Sequence, residues 1–127
     1  MTQPPRVLVV EDEYLVRDMI VHEMGLAGFD VVEAPSAEEA LKLAAGLDRL
    51  DLLFTDIRLP GMNGWQLAEQ IRVRYAEVPV IYASGYAERV TPLPRSKFLH
   101  KPYMPSQVFK AAAEFGIKLP NDFTDRP

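Results

Sequence analysis

The chain has 127 residues, which fits one domain and leaves no room for two independently folding units. Its 48% hydrophobic and 25% charged residues supply enough apolar surface for a packed core and exclude wholesale disorder. The 14 Lys and Arg against 18 Asp and Glu give a net charge of −4 with no basic run, which argues against direct nucleic-acid binding, and the lack of cysteine excludes disulfides, thiolate nucleophiles and Cys-built metal or haem sites.

Arg6 to Val10 is a short, continuously apolar and β-branched run, as expected of a strand covered on both faces, and it ends at Glu11, Asp12 and Glu13. Leu15, Val16, Met19, Ile20 and Met24 then recur at helical spacing up to Leu26, with Gly28 placed to end the helix; this stripe faces either the sheet or a partner's helices, core packing being the commoner use. Val31 and Val32 form a second strand. Ser36 can cap the next helix while Glu39 reaches back to complete a capping box, with Ala40, Leu41 and Ala44 inward and Gly46 closing it. Leu52 to Phe54 make a third strand, and Pro60-Gly61 with Asn63-Gly64 marks the turn before a helix bearing Leu67, Ala68, Ile71 and Tyr75. Val78 to Ala83 reads as a fourth strand and Lys97 to His100 as a fifth, and Pro105 opens a last helix with Val108, Ala112 and Phe115 inward. Between them, Pro92 and Pro94 leave only about Ala87 to Val90 for a helical turn, so the fourth crossover is expected to be short or irregular, and Tyr86 to Ser96 among the least stable parts of the fold. These elements predict residues 1–5 as an N-terminal extension, 6–119 as the domain and 120–127 as a tail. No apolar segment reaches the ~20 residues that span a bilayer, and the N-terminus lacks a signal-peptide layout, so the expected location is the cytoplasm.

Strands alternating with helices over short connections specify an α/β fold with a parallel sheet and helices on both faces. Ligands of such sheets bind beyond the carboxyl ends of the strands, where strand order reverses. Those ends carry Glu11 and Asp12, then Asp56, Ser84 and Lys101. In the order 2-1-3-4-5 the first and third strands are neighbours, and three carboxylates converge between a hydroxyl and an ammonium. Each residue alone has a plain reading, as a turn-stabilising Asp, a solvated acidic pair, a Ser-Gly turn or a surface Lys, but four such coincidences at one sheet edge favour a functional cluster. Two carboxylates about 4 Å apart repel by roughly 4 kcal/mol at an effective dielectric near 20, so three require a cation. Oxygen-only ligands suit a hard ion such as Mg2+, with Mn2+ also possible. Lys101 can pair with phosphoryl oxygens and the Ser84 hydroxyl can donate to one, which completes the parts for phosphoryl transfer to Asp56.

The segments VLVVEDE, LLFTDIRLPGMNGWQL, VIYASGYAE and FLHKPY, in that order and spacing, resemble the receiver domain of bacterial two-component response regulators from Arg6 to about Leu119. The resemblance implies a flavodoxin-like, doubly wound, five-stranded sheet. It also implies that Asp56 is the phosphoacceptor, that Glu11, Asp12 and Asp56 hold the metal with the backbone carbonyl of Arg58, that Ser84 and Phe98 form the switch, and that Lys101 binds the phosphoryl group across a cis Lys101–Pro102 bond. Arg58, Gly85 and Tyr86 would then modulate hydrolysis at the mouth of the site. The implied partners are a histidine kinase or histidine phosphotransfer protein and a downstream protein, with the chain a monomer or weak dimer that catalyses its own phosphorylation and slow dephosphorylation without being a turnover enzyme. Members usually carry a full fourth helix, whereas here Glu88 to Ser96 is short and holds two prolines. The ASGY segment resembles receivers that stand alone or are attached to sensor kinases, and no effector domain is seen after Phe115; a stand-alone regulator and an excised receiver both fit. A small magnesium-dependent aspartyl phosphatase and a non-phosphorylated flavodoxin-like interaction module are the competing function classes. Arg58, where a phosphatase would need a second acid, weighs against the first, and the intact acidic cluster against the second.

Overall fold

The computed structural model describes residues 3–86 and 93–119. The expected fourth crossover turn, Ala87 to Val90, the tail 120–127 and the central part of the Tyr86–Ser96 stability expectation lie outside the described residues. The elements are β1 (Arg6–Val10), α1 (Tyr14–Ala27), β2 (Asp30–Ala34), α2 (Ala37–Ala45), β3 (Leu52–Asp56), α3 (Gly64–Arg74), β4 (Val80–Ser84), β5 (Ser96–His100) and α4 (Pro105–Glu114). All strand pairs are parallel, in the order β2-β1-β3-β4-β5. Among the described residues, no helix is long and apolar enough to cross a membrane.

The continuously apolar strands are explained by helices on both sides. Val7, Val9, Leu52, Phe54, Ile81 and Ala83 point to one face, where Ile20, Met24 and Ala27 of α1 and Val108, Ala111 and Ala112 of α4 cover them. Leu8, Val10, Leu53, Val80 and Tyr82 point to the other, under Ala37, Ala40 and Ala44 of α2 and Leu67, Ala68 and Ile71 of α3. Successive side chains on a strand alternate faces, so one five-residue strand feeds both cores. Each fully buried Leu or Ile contributes about 1.5–3 kcal/mol.

Local chemistry sets the element ends. Gly28, at φ 109°, donates to the carbonyls of Gly25 and Met24 and stops α1. Ser36 accepts from the Glu39 amide at 3.1 Å. The expected reciprocal bond is replaced, because the Glu39 carboxylate meets Lys42 at 3.6 Å on the exposed face. A reciprocal capping box forms instead at α3, between Asn63 and Gln66. β4 begins after Pro79, later than the apolar run, and the Val78 carbonyl goes to the Arg72 guanidinium at 2.9 Å. On α1 the apolar stripe divides: Ile20 and Met24 are buried, while Leu15 and Met19 are 79% and 40% exposed because they lie around the helix from the sheet.

The start of α3 is pressed onto the end of β3. The Gly64 amide donates to the Ile57 carbonyl at 2.8 Å, and a Cβ at Gly64 would sit 2.1 Å from the Asp56 carbonyl oxygen. Backbone cannot yield as a flexible side chain does, so only hydrogen fits there. Gly64→Ala is therefore expected to lower unfolding stability by about 1–3 kcal/mol, the usual cost of overpacking, measured by urea denaturation.

Candidate functional site

The strand ends beyond the carboxyl edge of the sheet are tied together by backbone bonds that continue the ladders. Glu11 donates to Ala34 at 3.2 Å, Ile57 to Ala83 at 3.0 Å and Lys101 to Ser84 at 2.8 Å. These bonds fix where the side chains of Glu11, Asp56, Ser84 and Lys101 begin. The Lys101–Pro102 peptide is cis.

Lys101 reaches between two buried acids. Its Nζ lies 2.8 Å from Glu11 Oε1 and 2.8 Å from Asp56 Oδ1, with Asp56 Oδ2 at 2.9 Å. Asp56 is 5% exposed and Glu11 is similarly buried, whereas Asp12 is exposed. One carboxylate oxygen from each of Glu11, Asp12 and Asp56 lies within 4.8 Å of the other two. The β1–α1 turn is held from both sides: the Glu13 amide donates to Glu11 Oε2 at 3.0 Å, and the Arg17 guanidinium donates to the Glu11 carbonyl at 2.8 Å and to Glu33 at 3.0 Å.

Burial and like charge divide the acids. Burial, reinforced by the hydrogen bond with Glu11, pushes the Asp56 carboxyl up to about 8, against the opposing pull of Lys101. Burial also raises Glu11, but hydrogen bonds with Asp56 and Lys101 outweigh it and leave Glu11 below the usual carboxylate range. Desolvation and then Glu11 raise Asp12. For Lys101 desolvation works downward, and the bonds to Asp56 and Glu11 overcome it and raise the ammonium. Burial and like charge thus push the two buried acids apart, Asp56 toward its neutral form and Glu11 toward its ionised one.

The remaining sequence-predicted residues ring this cluster. Ser84 is buried, and its Oγ accepts from the Tyr86 amide at 3.0 Å. The Arg58 guanidinium lies 3.9 Å from the centroid of the exposed Tyr86 ring, joining the loops after β3 and β4 by a cation–π contact. Gly85 is exposed beside them. Phe98 stands apart from the acids, half-buried on β5 opposite Tyr82 in register, with its ring edge-on to His100 at 4.7 Å. Sequence reasoning missed Tyr103 and Glu38. Tyr103, just past the cis bond, is buried edge-on to Phe54 at 5.3 Å, and desolvation together with the charges of Glu11 and Asp56 raises its phenol. Glu38 of α2 accepts from the Met62 amide at 2.9 Å and so anchors the loop after β3. An aromatic directly after Lys101-Pro102 was a readable signal for the first; nothing in the sequence marks the second.

The model of the response regulator receiver domain matches residues 7–113. The chain belongs to the response regulator receiver family. It is 37% identical over 94 residues to the transcriptional regulatory protein AruR of Pseudomonas aeruginosa, covering 71% of this chain and 38% of AruR. It is 31% identical to the response regulator protein FleR of the same species, covering 96% of this chain and 27% of FleR. The chain thus spans well under half the length of these relatives. Among solved structures, the receiver domain of the hybrid histidine kinase CckA is 32% identical with a TM-score of 0.78, covering 87% of this chain and 97% of that one. A receiver protein from Sinorhizobium medicae is 26% identical with a TM-score of 0.83, covering 89% of this chain and 94% of that one. What these structures share with the chain is the receiver fold.

The raised Asp56 carboxyl has a definite linkage sign. The unfolded chain loses this proton near 3.8, whereas the folded, metal-free protein holds it to about 8. The folded state therefore binds more protons in that window, and the group's contribution to stability is full below the lower value and lost as pH rises to the upper. Asp56→Asn is expected to remove this decline and to exceed the native chain in metal-free stability above about pH 8 by at least ~1.4 kcal/mol, the worth of one pKa unit. Thermal melts in chelator across pH check it.

Proposed function

We propose that this receiver accepts a phosphoryl group on Asp56 from a phosphohistidine of a kinase or phosphotransfer protein and thereby switches its binding to a downstream protein. The observation that carries the reading is the Lys101 ammonium lying 2.8 Å from both Glu11 and Asp56 at the carboxyl edge of the sheet. An exposed face beside a buried carboxylate and a fixed cation is what an incoming phosphoryl group requires.

The oxygen-only donor set of Glu11, Asp12 and Asp56 fits a hard divalent ion, Mg2+ or Mn2+, with the Arg58 backbone carbonyl as a further ligand. Such an ion supplies charge neutralisation for the carboxylates and for the phosphoryl oxygens. Ionised Asp56 attacks phosphorus in line. The new P–O bond forms as the P–N bond breaks, the electron pair passes to the imidazole nitrogen, and that nitrogen is protonated as it leaves. Lys101 steadies the phosphoryl oxygens as a point charge, and the buried Ser84 hydroxyl, which accepts from the Tyr86 amide, is the switch hydroxyl that turns toward one of them. Arg58, Gly85 and Tyr86 border the approach of the water that later hydrolyses the acyl phosphate. Ser84 and Phe98 transmit the change to the surface. On this reading the receiver works in the cytoplasm and does not itself contact nucleic acid.

Intact-mass measurement after incubation with Mg2+ and acetyl phosphate tests the reading. One phosphoryl adduct per chain is expected, absent with chelator and in Asp56→Asn, and formed at least tenfold more slowly in Lys101→Ala. Sustained turnover of phosphate esters would instead indicate a phosphatase, and the absence of any adduct a module that does not phosphorylate.

A further inference from the structure

Tyr82 is chemically out of place in its core. It sits at the middle of β4, is 1% exposed, and its hydroxyl has no hydrogen-bond partner among the described residues. Buried polar side-chain atoms are nearly always paired, and an unpaired one costs more than an apolar group of the same shape. Desolvation pushes the phenol up to about 12, so it stays neutral and keeps its proton. Among the described residues its hydroxyl reaches no acceptor. The Trp65 ring lies against it at 4.1 Å, tilted by 42°. Its register neighbours are Thr55 and Phe98; the Thr55 hydroxyl is turned to donate to the Asp56 carbonyl at 2.9 Å, and the Phe98 side chain carries no polar atom.

The position of this orphan matters more than its existence. Side chains two apart on a strand share a face, so Tyr82 and Ser84 project together, as do their partners Phe98 and His100 on β5. The four residues lie on one face of the adjacent strands β4 and β5, with Tyr82 opposite Phe98 and Ser84 opposite His100. Phe98 packs against the same core cluster that holds Tyr82. Glu69 and Arg72 of α3, whose charges the phenol already feels, are polar groups on the helix packed over this face.

We propose that Tyr82 sets the poise of the switch: its unpaired hydroxyl weakens the packing of the unphosphorylated state, and the rearrangement of Ser84 and Phe98 brings that hydroxyl to a partner. The inference rests on the reading of Asp56 as phosphoacceptor with Ser84 and Phe98 as its switch. A ligand shifts an equilibrium only by its differential affinity for the two states. A cost confined to the resting state narrows the gap that phosphorylation has to cross, and phenylalanine at this position would widen it.

The test compares the native chain with Tyr82→Phe, which keeps the ring and its stacking on Trp65. Beryllofluoride with Mg2+ serves as the phosphoryl mimic, and binding is measured by titration calorimetry. Trp65, the single tryptophan of the chain, gives a second readout from the indole that touches Tyr82. Tyr82→Phe is expected to melt several degrees higher without the mimic and to bind it about tenfold more weakly. Tenfold corresponds to ~1.4 kcal/mol, within the cost of an unpaired buried hydroxyl. In a Ser84→Ala background the same substitution is expected to leave mimic affinity unchanged, since the coupling runs through the switch. Equal mimic affinity in the native chain and Tyr82→Phe, or a lower melting temperature in the variant, would overturn the proposal while leaving the phosphoacceptor reading intact. Failure of the native chain itself to bind the mimic would overturn both.

Discussion

The ammonium of Lys101 holding two buried carboxylates is the interaction on which the rest of the structure turns. A lone carboxylate inside a protein is strongly disfavoured, and two together repel, so the carboxyl edge of this sheet would be unstable without a cation at its centre. Lys101 directly follows the edge strand β5, Glu11 directly follows β1 and Asp56 ends β3, with β4 between β3 and β5. The ion pairs therefore bridge the sheet across Ser84. Since Lys101 satisfies the acids only in part, the site retains appetite for more positive charge, and that residual deficit is what makes it chemically useful.

The same economy explains why much of the molecule could be read from its residues. A strand five residues long, apolar throughout, is intelligible only between two layers of helices, and an acidic pair directly after such a strand stands out because it interrupts the pattern. Glu11, Asp56, Ser84 and Lys101 each stand at or just past the carboxyl end of a strand, so their convergence followed from strand order. The residues that escaped notice act through atoms the pattern does not display. Glu38 looks like any exposed helical acid until its carboxylate is found on the Met62 amide. The division of the α1 stripe was hidden for a related reason: Leu15 and Met19 share helical spacing with Ile20 and Met24, and only the angle at which α1 lies on the sheet separates buried from exposed. Tyr82 was indistinguishable from an ordinary strand aromatic, because an absent partner leaves no trace in a sequence.

The two poles of the sheet have opposite character. At the carboxyl ends the charges are unbalanced and poised for exchange. At the amino ends they are closed: the Arg6 side chain pairs with Asp30 at 2.9 Å and Asp48 at 2.7 Å, its amide donates to Asp51, and Arg49 pairs with Asp51 in turn. This lower network staples β1, β2 and β3 far from the chemistry, so the strain of three converging acids is borne by a frame whose own charges are satisfied. Arg72 does the same for the other half, donating to the carbonyls of Val78 and Arg95.

The placement of β1 between β2 and β3 carries a consequence for how the chain comes into being. Of the five strands this one is synthesised first, yet one of its two ladders is made with residues 52–55, which follow only after two helices and another strand. For that interval a strand of Val and Leu waits with an open edge, and closing it requires a long loop of chain to be ordered at once. Early pairing with β2, and the cover of α1 over Val7 and Val9, limit what the nascent segment shows to its surroundings. The first strand of the domain is thus flanked on one side by its sequence neighbour and on the other by a strand that arrives much later.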